Sequence, residues 1–226
     1  MIFNENFIFI HIGKTGGMSC SEYLLNNLKP PVFNCHVDAL KEVVPYNPKD
    51  VTPLTGIGRH STLAEALRFI GRENGKTLAD FDKVIAVVRH PYSIEYSYYQ
   101  HLRKPQIKER RRKRSPHLVD LAEGDFKTFV EHAGYHRDGA SQDSFFLIDG
   151  EIPNNVELLK FEELATALPI AIAPFRKAGP EHPFPHRNKS KYQTELSKLL
   201  TPEVEELIYQ KHRFMFDNDI YQRDAK

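Results

Sequence analysis

The chain has 226 residues, 31 Lys and Arg against 30 Asp and Glu, a net charge of +1 and 40% hydrophobic residues. Such a chain can bury a full core and is not wholesale disordered, and its two cysteines, Cys20 and Cys35, make no disulfide framework. No apolar run approaches the ~20 residues of a bilayer span and no charged n-region opens the chain, so a soluble, cytoplasmic protein with a single domain over 1–226 is expected.

A first strand is expected from about Phe7 to Ile12, followed by a Lys-Thr-Gly-Gly loop and a helix with Cys20, Leu24 and Leu28 on one face, stopped by Pro30-Pro31. Val32 to Pro53 reads as irregular structure around a possible second strand, and Thr55 to His60 as a strand edge or loop. Thr62 is placed to cap a helix whose inner face carries Leu63, Leu67 and Ile70. Val84 to Val88, nearly all β-branched, fits a parallel strand buried on both faces. Pro91 suits a first helical turn, with the helix running to Leu102.

From Arg103 to Arg114 there are eight basic residues and one acid. A block of like charge points to a mobile basic loop over about 103–118, either simply solvated or able to meet nucleic acid or an anionic glycan. No zinc finger or RNA-binding motif accompanies it, so nucleic acid is not expected as a partner. Helical pieces follow over Phe126–Ala133 and Gln142–Ile148, then a third buried strand over Val156–Phe161 and another helix. Pro174 to Tyr192 reads as loop, and Glu195–Leu200 and Pro202–Phe216 as closing helices. Strands alternating with helices predict an α/β fold, a P-loop-like three-layer α/β/α arrangement around a central, mainly parallel sheet.

The chemistry concentrates at His11-Ile12-Gly13-Lys14-Thr15-Gly16-Gly17-Met18-Ser19. A strand that breaks into a glycine pair and opens a helix points backbone N–H groups at one spot, where phosphate or sulfate can sit. The pattern is close to a Walker A motif but fails it, because Lys14 precedes the glycines instead of following them. The strand expected to supply a magnesium-binding aspartate ends instead in Arg89, a cation suited to an extra phosphate.

The strand-loop-helix with Lys14-Thr15-Gly16-Gly17, followed by Val87-Val88-Arg89-His90-Pro91 and Ser97, resembles the sulfotransferases that use 3′-phosphoadenosine 5′-phosphosulfate (PAPS), and is similar to a soluble bacterial member of their carbohydrate-type branch. That branch usually has proline at Gly13 and threonine at Met18. The resemblance spans most of the chain, through Gln142, Leu158 to Glu162 and Arg187 to Ser190. It implies PAPS as co-substrate, 3′,5′-adenosine bisphosphate (PAP) as product, no metal, and a carbohydrate or small-molecule hydroxyl as acceptor.

The resemblance further implies that the amides of Thr15, Gly16, Gly17, Met18 and Ser19 hold the 5′-phosphosulfate, with Lys14 beside the bridging oxygen. Arg89 and Ser97 are implied for the 3′-phosphate, and Arg187 and Ser190 for a late loop over the nucleotide. Of eleven histidines, His60 is the candidate base, because histidine suits proton abstraction near neutral pH and this position follows Gly-Ile-Gly-Arg at a strand end. An Asp or Glu base is the rival. His11 reads as a packed core residue, His90 as structural or nucleotide-facing, Gln142 as acceptor-facing and Glu162 as a helix brace. A P-loop small-molecule kinase and a non-catalytic nucleotide- or polyanion-binding protein are the alternative readings.

Overall fold

The computed structural model describes residues 1–35, 46–134, 141–185 and 193–223. Chain contacts divide the protein, expected as one domain, into two compact units: Met1–Val88 with Ser144–Asn188, and Arg89–Asp143 with Lys189–Lys226.

The first unit is built on a six-stranded sheet made of β1 (Ile2–Phe3), β2 (Phe7–Ile10), β3 (Val32–Asn34), β4 (Val51–Pro53), β5 (Lys83–Val88) and β6 (Val156–Lys160), in the spatial order β4-β3-β1-β2-β5-β6. β2 pairs in parallel with β5 from Phe7↔Lys83 to Ile10↔Ala86, and β5 with β6 from Val84↔Val156 to Val88↔Lys160. β3 and β4 are also parallel, whereas β1 is antiparallel to both of its neighbours. The sheet is therefore mixed, with five strands running one way and β1 the other.

Side chains alternate across a strand. Phe7, Phe9, Ile85, Val87 and Leu159 join one core with α1 (Gly17–Asn27) and the helix that follows β6, here α7 (Leu164–Ile172). The alternate set, Ile8, Ile10, Val84, Ala86 and Val88, is fully buried as well. Both faces are covered, which is why these strands read as unbroken apolar runs. Burying each such side chain is worth about 1.5–3 kcal/mol.

From β2 the chain crosses to β3 and β4 on one side, then returns to β5 and β6 on the other. The order reverses between β2 and β5, and in open α/β sheets ligands bind outside the carboxyl ends of the strands at such a point. α2 (Leu63–Asn74) starts with a complete capping box: Thr62 Oγ1 accepts from the Glu65 N–H at 3.2 Å, and Glu65 Oε2 accepts from the Thr62 N–H at 2.9 Å.

The second unit is helical among its described residues: α3 (Pro91–Arg103), α4 (Pro105–Arg112), α5 (Pro116–Glu123), α6 (Phe126–His132), α8 (Gln193–Leu199), α9 (Pro202–Lys211) and α10 (Arg213–Asp217). Tyr96 and Tyr99 of α3 pack on Phe126 and Phe129 of α6. Under them lies a buried ionic group in which Glu95 meets His212 Nε2 at 2.7 Å and Lys211 Nζ at 3.0 Å.

Three expectations need correction. The basic segment is two helices, α4 and the start of α5, rather than a loop over 103–118. Pro105 presets the first turn, cations suit the last turn, and Lys108 and Arg112 meet Glu123 and Asp120 of α5. Gln142–Ile148 holds only a 3₁₀ turn over Gln142–Phe145, and the closing helix breaks at His212. No described helix is long and apolar enough to cross a membrane.

Candidate functional site

β2 delivers His11 and Ile12 buried to the carboxyl edge of the sheet, and the chain then turns through Gly13 to Gly16 into α1. Lys14 takes a left-handed backbone at φ +63°, which costs a side-chain-bearing residue about 1–2 kcal/mol. Gly16 follows at φ +78°, and a Cβ there would come within 3.0 Å of the Phe161 ring. The Thr15 hydroxyl is committed to the fold, donating to the Ile12 carbonyl at 2.8 Å.

Gly17 is required for a different reason. A Cβ on it would fall 1.6 Å from Nε2 of His11, so the imidazole occupies the space any other residue needs. His11 is therefore the platform on which the first turn of α1 rests. It is a buried core histidine, 5% exposed, in line with its sequence reading.

α1 has no side-chain cap and no acid in its first turn. Its first internal bond is Cys20 N–H to the Gly16 carbonyl. The amides of Gly17, Met18 and Ser19 precede that bond, at the positive end of the helix dipole. Ser19 itself is buried and Met18 half-buried.

His60 comes to the same edge. It stands two residues before the capped start of α2, and its Nδ1 lies 2.8 Å from the His11 carbonyl oxygen. A carbonyl oxygen only accepts, so Nδ1 carries the proton and Nε2 is the lone-pair nitrogen. The Arg59 Nε–H donates to that Nε2 at 3.1 Å. The His60 ring meets the His11 ring edge-on at 4.7 Å. His60, His11 and Gly17 thus form one contiguous stack tying the candidate base to the glycine loop.

Arg89 is the residue after Val88, the last of β5. In the second unit, the Gln142 carboxamide holds its backbone: Oε1 accepts from the Arg89 N–H and Nε2 donates to the Arg89 carbonyl, both at 2.8 Å. Gln142 is fully buried by this task, which corrects its reading as an acceptor-facing residue. Ser97 lies half-buried within α3. His90 is structural there: it caps α3, accepting from the Tyr92 N–H at 3.3 Å, and packs against Tyr221 and Phe216.

Arg187 and Ser190 lie outside the described residues. The segment before them is fastened to α1: the Asn27 carboxamide donates to the His182 carbonyl at 3.0 Å and accepts from the His182 N–H at 2.8 Å. The Tyr23 hydroxyl donates to Glu181, which Arg176 also meets at 2.6 Å. Burial and that neighbouring carboxylate push the Tyr23 hydroxyl well above its ordinary pKa. Glu162 is exposed, and α7 starts with no side-chain cap. Sequence reasoning missed Arg59, the seat of Gly17 on His11 and the cover of Phe161 over Gly16, since each depends on how the side chains pack and not on residue type alone.

No family model matches the chain, and no curated protein is significantly similar to it. Among solved structures, the chain is similar to the crystal structure of a sulfotransferase from Alicyclobacillus acidocaldarius. The identity is 17%, the alignment covers 92% of this chain and 96% of that one, and the TM-score is 0.36. A likeness at that level carries no argument about activity.

Proposed function

We propose that the chain is a sulfotransferase that moves the sulfuryl group of PAPS to a hydroxyl of a carbohydrate or small-molecule acceptor by in-line displacement. The observation that supports this most is the meeting, at the carboxyl edge of β2, of an uncapped helix N-terminus, Lys14, and a histidine whose Nε2 bears the lone pair.

In this reading the amides of Gly17, Met18 and Ser19, with those of Thr15 and Gly16, bind the 5′-phosphosulfate. Lys14 neutralises the negative charge that grows on the bridging oxygen as the S–O bond to phosphate breaks. His60 Nε2 takes the proton from the acceptor hydroxyl while the acceptor oxygen bonds to sulfur, and PAP leaves with the electron pair of the broken bond. The Nδ1–H bond to the His11 carbonyl fixes the tautomer that this step needs. Arg59 must leave Nε2 before the hydroxyl can reach it. Arg89 and Ser97 are proposed for the 3′-phosphate, on the match of guanidinium to phosphate. Arg187 and Ser190 are proposed to close over the nucleotide.

The test is transfer of label from ³⁵S-PAPS to a panel of polysaccharides and simple glycosides. The wild-type chain should label at least one acceptor, and Lys14→Ala and His60→Ala should label none while still folding. Undiminished labelling by Lys14→Ala would overturn the mechanism.

A further inference from the structure

The basic run sorts its charges by face. On α4, Lys108 pairs with Glu123, and Arg112 pairs with Asp120 at 2.9 Å and also with Glu123, so this flank is neutralised by α5. Arg103, though exposed, is held to the fold, donating to the Tyr99 hydroxyl and to the Ala122 carbonyl. Lys104, Arg110, Lys113 and Arg114 are exposed, and no acid among the described residues pairs with them. Arg110, Lys113 and Arg114 stand at the i, i+3, i+4 spacing that brings side chains to one side of a helix end.

Cations at a helix C-terminus are favourable, but one or two suffice for the dipole. Three adjacent cations repel one another, a standing cost that a bound polyanion removes. The end of α4 and the hydrogen-bonded turn after it fix the backbone that carries them, which limits the freedom lost on binding.

We propose that the exposed cations at the two ends of α4, Lys104 before it and Arg110, Lys113 and Arg114 at and just past its last turn, form a docking surface for an acidic polysaccharide. The choice of polysaccharide over nucleic acid rests in part on the proposed activity towards carbohydrate hydroxyls. It also rests on composition: the exposed positions Gln106 and Glu109 offer no aromatic ring for base stacking. The surface would hold an extended acidic chain by charge and leave its identity to other contacts.

The test uses the full chain with a size-defined heparin fragment, neutral dextran of equal length, and a single-stranded DNA of equal charge, titrated at several salt concentrations. Heparin should bind, dextran should not, and DNA should bind more weakly. The triple variant Arg110→Ser, Lys113→Ser, Arg114→Ser should lose at least about tenfold in heparin affinity, and its salt dependence should fall by roughly two in log–log slope. Lys29→Ser with Lys49→Ser, exposed basic residues of the first unit, should change neither. Should the triple variant not fold, heparin should still shield Lys104 and Lys113 of the wild-type chain from acetylation. Unchanged heparin binding by the folded triple variant, no shielding of those lysines, or tighter binding of DNA than of heparin would each overturn the proposal. PAP titrated alongside separates the two readings, because its failure to bind would defeat the sulfotransferase reading while heparin binding still judged the surface.

Discussion

The carboxamide of Gln142 grips both backbone groups of Arg89, accepting from its N–H and donating to its carbonyl at 2.8 Å each. It does for one residue what a neighbouring strand does for many, just after β5 has ended. Gln142→Ala would remove both of these bonds at a buried position, at about 1–3 kcal/mol for each. The variant should unfold at lower urea and bind PAP at least tenfold more weakly, with a smaller change for ADP. Equal losses for PAP and ADP would separate Gln142 from recognition of the 3′-phosphate.

Lys14 combines a proposed catalytic role with a left-handed backbone, and two variants separate these properties. Lys14→Ala keeps the backbone penalty, while Lys14→Gly removes it at the cost of a more flexible unfolded chain. Both should lose turnover. In urea unfolding, Lys14→Gly should be more stable than Lys14→Ala by up to about 1 kcal/mol. The reverse order would show that the loop relaxes from its left-handed form.

Gly17 and His11 share one space. Gly17→Ala should cost about 1–3 kcal/mol, displace the His11 ring and, through the 4.7 Å contact, disturb His60 and turnover together. Adding His11→Ala should restore part of the lost stability, giving a coupling of about 0.5–3 kcal/mol in a double-mutant cycle. Strict additivity would mean that α1 moves rather than the ring.

Glu95 is wholly buried between Lys211 and His212. Burial pushes its carboxyl up, but Lys211 and His212 outweigh burial and hold it below its ordinary value. A depressed carboxyl contributes stability above the unfolded value of about 4.3, and that stability is lost as pH falls through the folded value. Glu95→Gln should therefore cost about 3–5 kcal/mol at pH 7, and the gap to wild type should shrink as pH drops below about 4. Urea melts across pH 3–7 measure this, and a constant gap would show that the charge of Glu95 is not what stabilises the unit.

Much of this architecture is legible in the chain because the signals are local. The β-branched run at Val84–Val88, the capping pair Thr62 and Glu65, and Pro91 at a helix start each carry their structure within a few residues. β1 is not legible, since two residues become a strand only by pairing with both β2 and β3. α4 looks like a charged loop until Asp120 and Glu123 supply the counter-charges from the next helix. At the candidate site, the glycine types could be read, but not their reasons: Gly17 answers to a histidine six residues earlier, and Gly16 to a phenylalanine across the sheet. The tautomer of His60 depends on a carbonyl 49 residues away.

The proposed sulfotransferase reading requires that the chain bind a nucleotide carrying a 3′-phosphate. Calorimetric titration with 3′,5′-adenosine bisphosphate, ADP and ATP, each with and without magnesium, tests it most directly. Binding of the bisphosphate is expected to be micromolar or tighter and indifferent to magnesium, with much weaker binding of ADP and ATP. Magnesium-dependent binding of ATP with no preference for the bisphosphate would contradict it.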